Sequence, residues 1–265
     1  MLNSANGLRF FMGPCVVESP KIMNEIGKFL RKMMDTHQVE IVMKASYDKA
    51  NRTSINSYRG IGMIAGLNLL RSVSILHGLQ TITDVHTWDD AKFVAQRIDW
   101  LQIPAMLMRQ TDLVTAVAEH SNKILVKKSQ SASAKSMAHV IGKIQAVNPN
   151  TLTVLCERGS TYGGNGDLVC DFRNLGIMST FAPVCYDATH TLQIMSGAGD
   201  KSAGHKEYAL PLARAAVATS WVDYVFAEIH PRPSEALSDS ATTIDFETAE
   251  AMIKQCKQIW EMNND

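Results

Sequence analysis

Eight short apolar segments lie between residues 8 and 230, and helix-like segments separate them. In the first of the separating segments, IMNEIGKFLRKMM (22–34), apolar side chains recur about every 3.6 residues, as on one face of a helix. Strands that alternate with helices indicate a parallel sheet, and eight such units in 265 residues are what a (β/α)8 barrel requires. We therefore predict an α/β fold, a (β/α)8 TIM barrel that forms a single domain over residues 1–265. The predicted strands are residues 9–15, 39–46, 79–86, 100–105, 124–128, 151–158, 182–190 and 224–230.

The first predicted helix begins at Pro20. Ser19 is a preferred capping residue, and proline suits the first helical position. Two glycine-rich segments, 159–166 and 196–204, follow the sixth and seventh strands, and we expect them to be mobile loops over the site. The other predicted helices are residues 60–76, 87–97 with Thr87 as its cap, 110–120, 133–147, 168–179, 206–219 and 246–262.

Charged and polar residues stand where the predicted strands end. In a (β/α)8 barrel these ends meet at one rim, which is where the active site lies. The alternative is that polar residues only mark the limits of strands. Lysine, arginine, glutamate and histidine are rarely buried without a partner, so their presence favours a functional site. The residues are Cys15, Lys44, Asp84, His86, Gln102, Lys127, Lys128, Glu157, Arg158, Asp187, His190, Glu228 and His230.

The composition limits the partners. The chain has 26 basic and 26 acidic residues, so no overall field attracts nucleic acid or an anionic membrane. No uncharged segment reaches the ~18 residues that span a bilayer, and the amino terminus does not resemble a signal peptide. Five cysteines without a framework spacing are typical of reduced thiols. We expect a cytoplasmic protein with neither a nucleic-acid nor a membrane partner.

Positive side chains are concentrated at the predicted rim. Arginine binds phosphate through two hydrogen bonds and lysine acts as a point charge, so many cations in one concavity indicate several anionic groups. The alternative is that they pair with surface carboxylates, as most charged side chains do. Lysine at the end of a hydrophobic strand favours the first interpretation. The cations are Lys44, Lys49, Arg52, Arg109, Lys127, Lys128 and Arg158, with Lys201 in a flexible loop.

Four scattered residues at the same rim could bind a metal ion: Cys15, His190, Glu228 and Asp239. A thiolate, an imidazole and two carboxylates suit a divalent ion of the iron, zinc or manganese class, whereas calcium prefers oxygen ligands alone. Each residue by itself is a weak signal. A single cysteine in an apolar strand is usually a small core residue, and a single histidine at a strand end is often structural.

Eight segments of the chain match one family. Together they resemble 3-deoxy-D-manno-octulosonate 8-phosphate synthase along nearly the whole chain. KANRTS and RQTD separate this family from the related 3-deoxy-D-arabino-heptulosonate 7-phosphate synthases, which typically carry KPRTS in place of KANRTS. The segments are KASYDKANRTSINSYRG (44–60), TDVH (83–86), QIPAMLMRQTDL (102–113), VKK (126–128), ERG (157–159), YDATH (186–190), GDKSAG (199–204) and EIHPRPSEALSD (228–239).

The resemblance implies an aldol-type condensation of phosphoenolpyruvate with D-arabinose 5-phosphate and water in a homotetramer. The lysines would stay charged to bind anions and would form no Schiff base. The residues implied to hold phosphoenolpyruvate are Lys44, Ser46, Lys49, Gln102, Lys127 and Arg158. Those implied to hold the sugar phosphate are Asn51, Arg52 and Thr53, with Arg109 from a neighbouring subunit. Asp84 and His86 would line the floor, and the catalytic set would be Lys44, Lys49, Asn51, Asp84, His86, Lys127 and His190.

The family contains metal-dependent members, with cysteine after Gly-Pro, and metal-independent members, with asparagine there. This chain has GPC, which implies one divalent metal ion on Cys15, His190, Glu228 and Asp239 and no organic cofactor. Thr53, Asn56, KKSQS and GSTYGGNGD depart from the usual family pattern and leave loop closure and affinity open. Two alternatives also stay open: a seven-carbon synthase that uses erythrose 4-phosphate, and a non-catalytic sugar-phosphate-binding barrel.

Overall fold

The computed structural model describes residues 7–52, 55–161, 167–194 and 203–264, which form a closed barrel of eight parallel strands surrounded by helices. The last barrel strand pairs with the first, so that Gly13 lies beside Glu228. The predicted (β/α)8 barrel is confirmed. The barrel strands are β1 (Arg9–Gly13), β2 (Glu40–Lys44), β3 (Gln80–Asp84), β4 (Trp100–Ile103), β5 (Lys123–Lys127), β6 (Leu152–Glu157), β7 (Val184–Asp187) and β8 (Tyr224–Glu228).

An α-helix follows each barrel strand. The first begins as predicted, because Ser19 Oγ accepts a hydrogen bond from the Ile22 N–H at 3.3 Å and Pro20 occupies the first turn. Among the described helices, none combines the length and the apolarity that crossing a membrane requires. The helices are α1 (Pro20–His37), α2 (Met63–His77), α3 (Asp90–Ala95), α4 (Thr111–His120), α5 (Met137–Val147), α6 (Arg173–Ser179), α7 (Ala209–Ala218) and α8 (Phe246–Asn264).

The predicted start of α2 at residue 60 is wrong. Gly60 and Gly62 have φ of 130° and 92°, values that a right-handed helix does not accommodate. A side chain at Gly60 would also meet the carbonyl oxygen of Tyr47, 2.5 Å from its Cβ. The glycines therefore shape the loop that precedes the helix, which begins at Met63.

The predicted start of α3 at Thr87 is also wrong. Residues 88–91 form a turn in which the Ala91 N–H donates to the Trp88 carbonyl at 3.4 Å, and the cap position is Asp89. The helix is only six residues long. Thr87 therefore lies in the loop after β3 and caps no helix.

The predicted helix over 168–179 begins five residues too early. Leu168–Val169 pairs in antiparallel fashion with Ser160–Thr161, so these residues form a short two-stranded sheet. Asp171 then accepts a hydrogen bond from the Arg173 N–H at 3.0 Å where α6 begins. Residues 162–166 and 195–202, on which the predicted mobile loops largely fall, lie outside the described residues.

Two layers of side chains fill the inside of the barrel. The lower layer is mainly apolar and includes four aromatic rings, with the Phe11 ring 5.2 Å from that of Trp100 and 5.1 Å from that of Tyr224. Side chains of a strand alternate between its two faces, so the residue two positions further on points the same way, into the mouth. The lower layer contains Phe11, Val42, Ile82, Trp100, Leu125, Val154, Cys156, Cys185, Tyr224 and Phe226. Two positions later along the strands stand Lys44, Asp84, Gln102, Lys127, Arg158, Asp187 and Glu228.

Candidate active site

The layer of charged residues above the aromatic side chains is buried. Lys44, Lys127 and Arg158 are 1%, 4% and 6% exposed, although charged side chains are rarely buried without a partner. Lys127 Nζ lies 3.2 Å from the centre of the Phe226 ring, which supports the ammonium from below through a cation–π contact. The fold therefore brings the ends of distant strands together at one mouth, as predicted.

The four predicted metal ligands lie together at one side of the mouth. Donor atoms of Cys15, Glu228 and Asp239 all lie within 4.8 Å of one another. His190 Nε2 is 3.5 Å from Glu228 Oε1 and 3.9 Å from Asp239 Oδ2. The Cys15 thiol is 3.2 Å from Asp239 Oδ2. The structure thus brings all four predicted side chains into one cluster.

Asp239 reaches the cluster from the loop after β8 in an unusual backbone conformation. Its φ is 50°, a left-handed value that costs energy for a residue with a side chain. The Asp239 carbonyl accepts hydrogen bonds from the Thr242 N–H at 3.1 Å and the Thr243 N–H at 3.0 Å, and these bonds hold the conformation. The preceding Ser238 Oγ lies 2.8 Å from the Cys15 thiol. The loop is therefore fixed at both the backbone and the side chain.

These side chains fit a divalent transition-metal ion. The set offers sulfur, nitrogen and oxygen donors, as such ions prefer. Glu228 is fully buried, and its Oε2 has no hydrogen-bond partner among the described residues. A buried carboxylate oxygen without a partner is costly, and metal coordination would satisfy it.

Asp187 is a residue of the site that the sequence did not assign a role. Its Oδ2 lies 2.8 Å from His190 Nδ1, and the same carboxylate pairs with Lys127 Nζ. Its Oδ1 accepts hydrogen bonds from the backbone N–H groups of Thr189 at 3.1 Å and His190 at 2.9 Å. Burial raises the pKa of Asp187, but His190 and Lys127 lower it more, and the net pKa lies well below its ordinary value. The ionised carboxylate therefore joins the metal cluster to the cation layer.

Glu228 also joins the metal cluster to the cation layer. Lys44 Nζ is 2.9 Å from Glu228 Oε1 and donates to the Cys15 carbonyl at 3.0 Å. Burial raises the pKa of Glu228, but Lys44, His190 and Lys49 together lower it below its ordinary value. Glu228 is thus held ionised and ready to coordinate a cation.

Lys49 and Ser46 form the next part of the cation layer. Lys49 Nζ donates to Ser46 Oγ at 3.0 Å. Burial lowers the pKa of Lys49, but Cys15, Asp84 and Glu228 raise it by more than burial lowers it. The net pKa therefore lies above its ordinary value. Lys49 is therefore an ammonium, suited to holding an anion.

Gln102 and Asp84 lie side by side at the ends of β4 and β3. Gln102 Nε2 donates to Asp84 Oδ1 at 3.0 Å, which leaves Gln102 Oε1 buried and without a hydrogen-bond partner among the described residues. Burial raises the pKa of Asp84, but Lys44, Lys49 and His86 lower it more, and the net pKa lies below its ordinary value. Asp84 is therefore a carboxylate among lysines, as expected for the floor of a site.

Arg158 offers an unused donor to the mouth. Its Nη2 donates to Gln193 Oε1 at 2.7 Å, whereas its buried Nη1 has no hydrogen-bond partner among the described residues. Burial lowers the pKa of Arg158 from its ordinary value, but the guanidinium stays charged at neutral pH. A buried N–H without a partner is the group that a phosphate or carboxylate would satisfy.

The predicted sugar-phosphate residues lie further out. Asn51 and Arg109 are exposed, and the half-buried Arg52 donates from Nε to the Tyr58 carbonyl at 2.9 Å. His86 Nε2 lies 3.0 Å from the Asp48 carbonyl oxygen, in the same loop region. Thr53 lies outside the described residues. The structure does not bring Asn51 or Arg109 into contact with the buried cations.

Lys128 does not face the mouth, so this part of the predicted cation cluster is wrong. It follows the inward-facing Lys127 and therefore points to the outer face of the barrel wall. There its Nζ lies 3.3 Å from Glu157 Oε1, and both side chains are 0% exposed. Alternation along β5 would have placed Lys128 correctly, because neighbouring residues of a strand face opposite sides.

Comparison with known proteins agrees with the motifs. The chain matches the model of the DAHP synthetase I family over residues 4–264. The 2-dehydro-3-deoxyphosphooctonate aldolase of Synechococcus sp. is 42% identical over 255 residues, which cover 96% of this chain and 89% of that protein. Proteins of the same name from Desulfatibacillum aliphaticivorans and Protochlamydia amoebophila are 43% and 39% identical, and each match covers 94% of this chain and 90% of the relative. The chain belongs to the DAHP synthetase I family and, within it, to the 2-dehydro-3-deoxyphosphooctonate aldolases, another name for the 3-deoxy-D-manno-octulosonate 8-phosphate synthases that its motifs resemble.

Proposed function

We propose that this protein condenses phosphoenolpyruvate with D-arabinose 5-phosphate and water to give 3-deoxy-D-manno-octulosonate 8-phosphate and inorganic phosphate. A bond forms between C3 of phosphoenolpyruvate and the aldehyde carbon of the sugar. The water oxygen adds at C2, and one water proton goes to the former aldehyde oxygen. The bond from C2 to the phosphate oxygen then breaks as C2 becomes a ketone, and the second water proton passes to the departing phosphate. The names of the relatives support this reaction.

The observation that carries the proposal is the buried cation layer in a protein of zero net charge. Lys44, Lys49, Lys127 and Arg158 are each at most 7% exposed. The two substrates bring two phosphates and one carboxylate, whose mutual repulsion must be neutralised before the carbon atoms can approach. Fixed positive groups in a site that excludes water do this and also orient the reactants.

Each part of the mouth has a proposed role. Lys127, Arg158 and Gln102 hold phosphoenolpyruvate, with Lys44, Lys49 and Ser46 beside its reacting end. Asn51, Arg52 and Thr53 hold the sugar phosphate, and Asp84, His86 and His190 complete the catalytic set. The unused Nη1 of Arg158 supports the first assignment, since this donor is buried without a hydrogen-bond partner among the described residues.

We further propose that Cys15, His190, Glu228 and Asp239 hold one divalent ion of the iron, zinc or manganese class. When bound, such an ion supplies Lewis acidity toward the aldehyde oxygen or toward the water. The unpartnered Glu228 Oε2 supports this assignment. Chelation should abolish turnover and re-addition of one of these ions should restore it, whereas full activity of the metal-free protein would reject the ion.

A thiol ligand also requires a reduced cysteine, which supports a cytoplasmic location.

The deciding experiment measures phosphate release from phosphoenolpyruvate with two sugar phosphates side by side. We expect turnover with D-arabinose 5-phosphate and little with D-erythrose 4-phosphate. A clear preference for erythrose 4-phosphate would overturn the proposal, and no turnover with either sugar would favour a binding protein. Borohydride treatment with substrate should leave no adduct on Lys44, because that lysine acts as a charge.

The proposed assembly is a homotetramer, with Arg109 reaching the site of a neighbouring copy. Arg109 is exposed three residues beyond Met106, a large apolar side chain that is 65% exposed. We propose that Met106 lies in the contact with the neighbouring copy. Light scattering should give four chains per particle, and Met106→Asp should lower that number and raise the KM for the sugar phosphate.

A further inference from the structure

A buried ion pair lies behind the mouth, on the outer face of the barrel wall. Lys128 Nζ is 3.3 Å from Glu157 Oε1. The register of β5 and β6 pairs Lys127 with Cys156, so that one step further Lys128 comes beside Glu157. Both charges act on Cys170, which precedes α6 outside the barrel. The pair therefore lies between the barrel wall and the helices, and neither of its residues has a role in the proposed mechanism.

The two side chains tie two loops together. The Lys128 ammonium donates to the Ser129 carbonyl at 3.2 Å, the Ala132 carbonyl at 3.4 Å and Ser160 Oγ at 3.0 Å. Glu157 Oε1 accepts from the Gly159 N–H at 2.8 Å, where the backbone φ is 86°. The pair thus holds the loop after β5 against the loop after β6.

The chain neighbours of this pair are two cations of the mouth. Lys127 precedes Lys128 and Arg158 follows Glu157, and alternation turns both of them inward. Asp187 raises the pKa of both Lys127 and Arg158, so the two cations share one electrostatic environment. Taking two ions out of water carries a large desolvation cost, so a buried ion pair is weak evidence of a gain in stability. Stability alone therefore does not account for the pair.

We infer that Lys128 and Glu157 are positioning residues, whose ion pair sets the spacing of Lys127 and Arg158 for binding the phosphate of phosphoenolpyruvate. The identity of that anion rests on the proposed function. The pair acts by fixing the outward-facing ends of two adjacent strands. When it is broken, the strand ends relax and the inward-facing cations lose their spacing, although both charges remain.

The test uses Glu157→Gln, Lys128→Met and the double variant in the metal-loaded protein. Calorimetry with phosphoenolpyruvate, and separately with inorganic phosphate, measures the Kd, and steady-state kinetics measures each KM. We expect each single variant to raise the Kd and KM for phosphoenolpyruvate at least tenfold, while the KM for the sugar phosphate changes less than twofold. The double variant should lose no more affinity than the worse single variant, because both remove one interaction.

Val126→Ala and Leu155→Ala are matched controls. Both side chains are fully buried in the core outside the barrel, two residues before Lys128 and Glu157 on the same strands. They should lower the melting temperature but leave the Kd for phosphoenolpyruvate within twofold of the original protein. If Lys128→Met does not fold, the other two variants still test the inference. The double variant leaves no unpaired charge.

Two results would overturn the inference: a Kd within twofold in Glu157→Gln, or an equal loss of affinity in the controls. Failure of the proposed function gives a different result. The unaltered protein would then show no turnover with arabinose 5-phosphate, while the two binding measurements would still report on the ion pair.

Discussion

The carboxylate of Asp187 lies 2.8 Å from the Nδ1 atom of His190, on the opposite side of the imidazole from the other proposed metal ligands. A carboxylate in this position fixes the orientation of a ligating histidine and makes its free nitrogen more basic. Because Asp187 also pairs with Lys127, one side chain adjusts both the metal cluster and the anion site.

Asp187→Asn should lower metal affinity by about 10- to 100-fold, the range expected on losing such a partner of a ligating histidine. It should also raise the KM for phosphoenolpyruvate. Competition with a chelator measures the first effect. Lys127→Met is the matched comparison, since it should raise that KM and leave metal affinity nearly unchanged. Equal metal affinity in Asp187→Asn and the original protein would contradict the assigned role.

Metal binding should release a proton from Cys15. Burial, and after it Asp239 and Glu228, raise the pKa of the Cys15 thiol well above its ordinary value of 9.0, so the thiol is protonated in the metal-free protein at neutral pH. A metal ion binds the thiolate, so its apparent affinity should rise about tenfold per pH unit between pH 7 and 9.

Zinc titration in weak buffer, followed with a pH indicator, measures this release. Cys15→Ala should lose both the proton and most of the bound metal while the barrel still folds. Cys256→Ala is the control, because Cys256 is buried on α8 and should leave both signals unchanged. Metal binding without proton release would show that Cys15 is not a ligand.

Asp84→Asn should alter how stability depends on pH. Lys44, Lys49 and His86 outweigh burial and hold the pKa of Asp84 below 3.8, so the folded state binds its proton less readily than the unfolded state. The stability from this carboxylate is complete above the unfolded pKa of 3.8 and is lost as pH falls below it.

Urea unfolding of both proteins from pH 7 to pH 3.5 tests this expectation. The difference in the free energy of unfolding between the original protein and Asp84→Asn should be constant at neutral pH and should shrink below pH 4. Asp171→Asn removes an exposed ion pair with Arg173 and should show a much smaller difference throughout. A difference that grew on acidification would contradict the sign of the pKa shift.

Arg158→Lys should raise the KM for phosphoenolpyruvate by about 10- to 100-fold, because lysine keeps the charge but loses the planar pair of donors. Steady-state kinetics with the sugar phosphate held at saturation measures the change. Arg173→Lys, at an exposed position, should have no effect. An unchanged KM in Arg158→Lys would remove Arg158 from the anion site.

The barrel and its charged layer could be predicted because they follow from a two-residue alternation that is local in sequence. Most of the barrel strands carry an apolar residue and then, two positions later, a charged one, as with Phe226 and Glu228. The strand ends then meet because parallel strands in a barrel share one rim. The metal quartet did not follow from alternation, because each ligand alone is a weak signal and the resemblance to the family implied the set.

The role of Asp187 could not be read from the sequence, because its partner Lys127 is 60 residues away. Pairing across that distance depends on which strands become neighbours and in what register. The prediction of short elements failed for a different reason. Leu168–Val169 has too few residues to show a period, and only its pairing with Ser160–Thr161 distinguishes it from the start of α6.

The aromatic side chains beneath the lysines close one end of the charged layer. Phe11, Trp100, Tyr224 and Phe226 fill the barrel there, and the Phe226 ring holds the Lys127 ammonium through a cation–π contact. An anionic substrate can therefore reach the buried cations only through the mouth. A chain with no net charge can in this way bind dianions at one end without attracting them over its whole surface.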